Sequence, residues 1–185
     1  FTLGLPVGTS TGANTTSTLN DTTATTPWAV NQYANSDVVI TSGTGAGQRR
    51  RIASNTSSTL TLAAAVTGNA NTGNWSVTPD ATSVYQIQPS SDFLYYFVAN
   101  GTQTAYKIDV SQTTGAAWTA ITATPAALSG RSNSFYPQSS APFSLLMTRG
   151  SGTNTIYYYS IGLNSYITPT VYSGETFNTG SSSCL

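Results

Sequence analysis

VVITSGTGAGQRRRIASNTSSTLTL, residues 38–62, decides the class of fold. Val38 and Ile40 alternate with Asp37, Val39 and Thr41, the period of two that marks a half-buried strand. Gly43, Gly45 and Gly47 follow within the run GTGAGQ, and glycines at that spacing supply the positive φ that a tight reversal needs. Arg49 to Ala53 is then the return strand, with Arg50 on the side of Ile52 and Arg49 and Arg51 turned away. Leu60 and Leu62 alternate with Thr59 and Thr61 in a third strand.

Downstream, Gly68 to Asn74 reads as a loop, after which Trp75 and Val77 share a face. Pro79-Asp80 starts a turn, and Tyr85 and Ile87 alternate with Val84, Gln86 and Gln88. The spacing predicts a small antiparallel β-sandwich or barrel over residues 27–89. Pro89-Ser90-Ser91 marks the boundary to a second region, 90–185. There, FLYYFVA (93–99) predicts a strand covered on both faces, and in 104–110 Tyr106, Ile108 and Val110 are expected to face inward, away from Lys107 and Asp109.

GTQTAYKIDV (101–110) aligns without gaps on GTNTIYYYSI (152–161), an offset of 51 residues. Tyr106, Ile108 and Val110 fall on Tyr157, Tyr159 and Ile161, so the inward sets are expected to coincide. Kelch-type propeller blades recur at about 50 residues, and the second region is therefore expected to hold kelch-like antiparallel hairpins. Either the chain is part of a longer array or the two hairpins share one sheet, and the second is preferred. Upstream, Phe1, Leu3 and Leu5 form a short apolar arm fit to join a neighbour's sheet. GTSTGANTTSTLNDTTATT (8–26) reads as an exposed linker, making residues 1–26 an extended N-terminal arm. The whole is expected to be all-β.

Charge is scarce. Six basic and six acidic residues give zero net charge in 185 residues, while Ser (25) and Thr (33) do the solvating. One lysine and no net charge argue against a nucleic-acid footprint, and no stretch approaches the roughly 18 apolar residues of a membrane helix. Residues 8–26 also differ from a type IV pilin, which continues from its first Phe into an apolar helix, and no signal-peptide pattern is evident. Twenty aromatics (11 Tyr, 6 Phe, 3 Trp) argue for a folded chain.

No histidine is present, so Ser–His–Asp, Cys–His and His-bound zinc chemistry are excluded. Cys184 has no intrachain partner and reads as a free terminal thiol, with an intermolecular bridge as the alternative. GTGAGQ lacks the lysine and the following helix of a phosphate-binding loop. A Ser–Lys site would have to use Lys107, which is expected to pair with Asp109 or solvent. Paired-carboxylate hydrolysis would draw on Asp21, Asp37, Asp80, Asp92, Asp109 and Glu175, none of them in a diagnostic motif, and a calcium site at Asp80 or Asp92 lacks clustered acids. No catalytic residue, cofactor or metal is expected. Arg49 and Arg51 are expected to be solvated or to meet an acidic partner. Tyr158, opposite Tyr157 and Tyr159, is expected to be exposed or covered by a partner, with a subunit interface favoured over a glycan site.

WAVNQY (28–33), VVITSGTGAGQRRRIASNTSSTLTL (38–62) and the run from Trp75 through PDATSVYQI (79–87) together resemble a module of tailed-bacteriophage structural proteins. The match covers about a third of the chain and departs from the pattern at AAAVTGNANTGN (63–74). The resemblance implies a non-enzymatic virion component, capsid-decorating, fibre or tail-associated, whose partners are other virion proteins and further copies of itself. It carries Gly43, Gly45, Gly47, Gln48, Arg50, Ile52, Trp75, Tyr85 and Ile87 across as scaffold positions only. A glycan- or receptor-binding adhesin and a cellular surface-layer or filament subunit stand as alternatives.

Overall fold

Short alternating segments separated by glycine turns build the computed structural model, which describes residues 5–24, 27–112, 115–129, 137–138, 144–150 and 152–171. The fold is all-β with antiparallel sheets and no helix among the described residues. Phe1, Leu3, Cys184 and Glu175 lie outside the described residues.

The first sheet has six strands: β1 (Val7–Thr9), β2 (Thr18–Asn20), β3 (Ser36–Ser42), β4 (Arg49–Asn55), β5 (Thr59–Leu62) and β6 (Val84–Pro89), in the order β1-β6-β3-β4-β5-β2. Val38 lies opposite Arg50 and Ile87, and Ile40 opposite Tyr85. The alternating side chains Val38, Ile40, Ile52, Leu60, Leu62, Tyr85 and Ile87 all turn into one interior, joined there by Trp28, Tyr33 and Trp75. The sheet curls into a half-barrel. Its two ends meet where the Thr11 amide donates to the Asn20 carbonyl at 2.9 Å.

That closure corrects the expectation of a free N-terminal arm. Residues 7–9 pair with β6 and residues 18–20 with β5. Leu19 is fully buried, and the Asp21 carboxylate accepts from the buried Tyr85 hydroxyl at 2.6 Å. Polar side chains knit the rest: the Asn14 amide nitrogen donates to Ser10 Oγ and the Pro79 carbonyl, while its oxygen accepts from the Asn20 amide. Leu19→Ala should therefore cost about 3 kcal/mol of stability, the usual penalty for emptying a core leucine site. Urea denaturation measures it, and an unchanged midpoint would return residues 8–26 to a dangling linker.

Beyond Pro89 the chain forms smaller sheets. β7 (Phe93–Phe97), β9 (Ala105–Asp109) and β10 (Thr119–Ala120) make one, in the order β10-β9-β7, while β8 (Asn100–Thr102) pairs with β11 (Leu128–Ser129). β12 (Pro137–Gln138), β13 (Ser144–Thr148), β14 (Thr155–Ser160) and β15 (Ser165–Val171) make another, in that order.

The repeat is therefore two related hairpins in separate sheets rather than in one. Their registers agree residue for residue. Phe97 lies opposite Ala105 and Tyr96 opposite Tyr106 in the first, as Thr148 lies opposite Ile156 and Met147 opposite Tyr157 in the second. Their buried faces do not agree. Met147, Tyr157 and Tyr159 are buried, whereas their first-hairpin equivalents Tyr96, Tyr106 and Ile108 lie on an open face where Tyr96 is 53% exposed. The first hairpin instead buries the opposite side, with Phe97 and Ala105 nearly inaccessible and Lys107 and Asp109 beside them. The expectation of coincident inward sets, and of a β7 covered on both faces, fails because both faces of this hairpin carry apolar residues. Alternation alone then cannot say which one finds cover.

Candidate functional site

Gly43, Gly45 and Gly47 have φ of 78°, 81° and 86°, values that a glycine adopts without strain. The reversal they form is clamped from both sides. The Gln48 amide nitrogen donates to the carbonyls of Gly45 and Val77, and its oxygen accepts from the amides of Ser76 and Val77. The Thr44 hydroxyl donates to Asp80 Oδ2 at 2.7 Å, and the Ser83 hydroxyl donates to the Thr44 carbonyl at 2.6 Å. Hydroxyls of Thr82 and Thr44 hold the exposed Asp80 carboxyl below the ordinary aspartate range. GTGAGQ and PDATS are thus two halves of one clamp. Arg50 lies 6.0 Å over the Trp75 ring and donates to the Asn74 carbonyl and the Ser76 hydroxyl, while the Trp75 indole N–H donates to the Thr18 carbonyl. Ile52, Tyr85 and Ile87 are interior positions.

Arg49 and Arg51 do point away from Ile52, but Arg49 keeps only partial contact with solvent and Arg51 almost none. Arg51 is 5% exposed. Its NH1 donates to Asp109 at 2.6 Å and its NH2 to Asp92 at 2.5 Å, two carboxylates from the second region. Asn69 donates to Asp92 and to Ser111 in the same cluster, and the guanidinium stacks 4.5 Å from the Phe93 ring. Arg49 pairs with the fully buried Asp37. Lys107 donates to Asn35 at 3.2 Å and lies 4.9 Å from Phe93, instead of pairing with Asp109 or solvent. The outer face of β3–β4 is therefore a second buried surface, covered by the β7–β9 hairpin. That corrects the expectation of a solvated or partner-facing arginine pair.

Six of the chain's twelve charged side chains meet at this junction: Asp37, Asp92, Asp109, Arg49, Arg51 and Lys107. Burial raises the Asp37 carboxyl above its ordinary value despite the attraction of Arg49. Burial, aided by the charge of Arg51, lowers Lys107. Burial would raise Asp109, but hydrogen bonds from Arg51 and Ser111 outweigh it and bring the carboxyl down to about 2. A carboxyl whose folded pKa is depressed stabilises the fold above its unfolded pKa of about 4, and that contribution disappears as pH falls toward the folded value. Solvent screening leaves the contribution of Asp109 at about 1 kcal/mol. Thermal melts should therefore weaken between about pH 4 and pH 2, with Asp37 opposing the trend because its raised pKa favours the protonated fold. Asp109→Asn should flatten that dependence, and an equally steep profile in the variant would contradict the assignment.

The third feature is the open face of the β10-β9-β7 sheet. Leu94, Tyr96, Val110 and Trp118 are each about half exposed. Tyr96, Tyr106 and Trp118 line an apolar groove of about 220 Å³, with the Tyr96 and Trp118 rings 6.0 Å apart. Tyr158 lies on the outer side of β14, directly between Leu146 and Ile167 and partly exposed. Leu5 is half-buried and packs on the core.

The junction acids were visible in the sequence only as dispersed carboxylates. Their one signal was that two of them, Asp37 and Asp109, fall within strands of so charge-poor a chain. Among the described residues no three His, Cys, Asp or Glu side chains gather to hold a metal, and no helix is long and apolar enough to cross a membrane. No family model, curated protein or solved structure matches this chain.

Proposed function

We propose that this chain is a non-enzymatic structural component of a tailed-phage virion, assembling on head or tail through β-rich interfaces with other virion proteins and with copies of itself. The observation that carries the assembly part is the open face bearing Leu94, Tyr96, Val110 and Trp118. These four side chains are apolar or aromatic and each about half exposed, and apolar exposure gathered on one sheet face is what a contact surface needs. The phage part rests on the likeness of residues 28–87 to that module. It is supported by the clamp that makes GTGAGQ and PDATS one scaffold unit rather than a site.

Two features support a non-catalytic role. Arg51 neutralises both Asp92 and Asp109, and a carboxyl brought down to about 2 does not supply a proton near neutrality. The test is the protein composition of purified virions from the source, with cross-linking mass spectrometry to find neighbours. Recovery of the chain in many copies with cross-links to capsid or tail proteins is expected, and confinement to the particle-free fraction would overturn the proposal.

The adhesin alternative draws on the same groove, since a half-exposed Tyr and Trp 6.0 Å apart also suit a sugar ring. Glycan-array binding abolished by Trp118→Ala, with particle assembly intact, would favour it.

A further inference from the structure

The internal repeat shows what kind of surface fits the open face. In the second hairpin, the side carrying Leu145, Met147, Tyr157 and Tyr159 is buried, and part of its cover is the back of the first hairpin. Tyr159 packs edge-on to Phe97 at 5.7 Å and tilts against Tyr95 at 6.0 Å. The front of hairpin two thus stacks on the back of hairpin one. The shared register makes Leu94, Tyr96, Tyr106 and Ile108 the front of hairpin one, and among the described residues that front has no such cover. At the other end, the back of hairpin two presents the row Leu146, Tyr158 and Ile167, with Ile156 beside it, and Ile167 is 41% exposed.

Stacked repeats normally end on polar capping faces. Here both ends are apolar, and none of the residues named on either face is charged.

We propose that a second copy of this chain covers the open face, head to tail: the front of hairpin one, with Trp118 beside it, seats on the Leu146–Tyr158–Ile167 back of hairpin two in the neighbour. The contact repeats between copies the stacking that already holds the two hairpins within one chain. The exposed Ala116, Ala117 and Ala120 beside Trp118 extend the front toward the approximately 800 Å² per partner of a standard interface. A partner rich in charge gains nothing here, because half of the chain's charges are committed to the Arg51 junction. A head-to-tail contact is heterologous, so it propagates into a ring or a filament and does not stop at a symmetric pair.

The proposal deepens the assembly reading and rests on it, but two variants separate them. Trp118→Asp spoils the front and Tyr158→Asp the back, and both positions are at least partly exposed, so circular dichroism should show each variant folded. Sedimentation velocity over micromolar concentrations should give oligomers larger than a dimer for the parent chain and monomers for each variant alone. An equimolar mixture of the two variants should form a dimer and nothing larger, because one intact front and one intact back remain. A symmetric front-to-front contact would leave Tyr158→Asp paired and overturn the proposal. So would a strictly monomeric parent chain, or oligomers indifferent to both changes. If the oligomers behave as expected but the chain is absent from virions, the virion reading fails and the contact stands.

Discussion

Arg51→Ala should destabilise the protein by about 4 kcal/mol, the loss expected when one member of a buried ionic cluster is removed and its partners stay behind. Two carboxylates, Asp92 and Asp109, would then face each other and Asp37 under the β7–β9 hairpin with no guanidinium between them. Most of the cost is the stranded charge and not the worth of the pairs. Adding Asp92→Asn and Asp109→Asn to an Arg51→Met background should therefore recover a large part of the loss. Urea unfolding of the parent chain and of both variants separates the contributions. An Arg51→Ala midpoint within about 0.5 kcal/mol of the parent, the scatter of a surface change, would mean the cluster is open to water.

Gly43→Ala is the second large effect, at about 3 kcal/mol. Gly43 and Gly47 share nearly the same backbone, with φ of 78° and 86°, so forcing either to carry a Cβ costs about 1 kcal/mol in conformation alone. Their surroundings differ. A Cβ on Gly43 would overlap the Thr82 carbonyl, whereas one on Gly47 would have nothing within 4 Å. The clash adds about 2 kcal/mol, because Thr82 belongs to the clamp and cannot retreat without breaking its own amide and hydroxyl bonds to Asp80. Gly47→Ala is the internal control and should lose only the conformational part. Equal losses at the two positions would show that the turn and the 79–83 segment do not touch.

The half-barrel was legible because its strands bury one face and leave the other to different chemistry. Val38, Ile40, Leu60, Leu62, Tyr85 and Ile87 announce themselves by alternation, and the glycines of 43–47 by their need for positive φ. Strands β1 and β2 were not legible. They are three residues long, and hydroxyl and amide hydrogen bonds from Ser10, Asn14 and Asn20 hold them more than apolar burial does, leaving Leu19 as the main hydrophobic cue. Arg51 was placed on the correct side of its strand, but alternation does not say whether the outward side of one sheet is the inward side of another contact. The same gap explains Tyr106 and Ile108. Two apolar faces on one hairpin leave the choice to whatever packs nearby, and the outer face of β4 selected the face bearing Lys107 and Asp109.

The strand order β1-β6-β3-β4-β5-β2 also sets the sequence of events in folding. Residues 7–20 leave the ribosome before the strands they join: Leu19 pairs with Leu60 and Gly8 with Tyr85, so their partners follow about 40 and nearly 80 residues later. Contacts that close such long loops form late and slowly. Until then both rims of the sheet, β6 on one side and β5 on the other, are bare hydrogen-bonding edges of the kind that template aggregation or strand exchange between chains. The threonine-rich segment that resembles a linker is a double clasp, made before its partners and fastened last. A nascent chain is most vulnerable in the interval between those two moments.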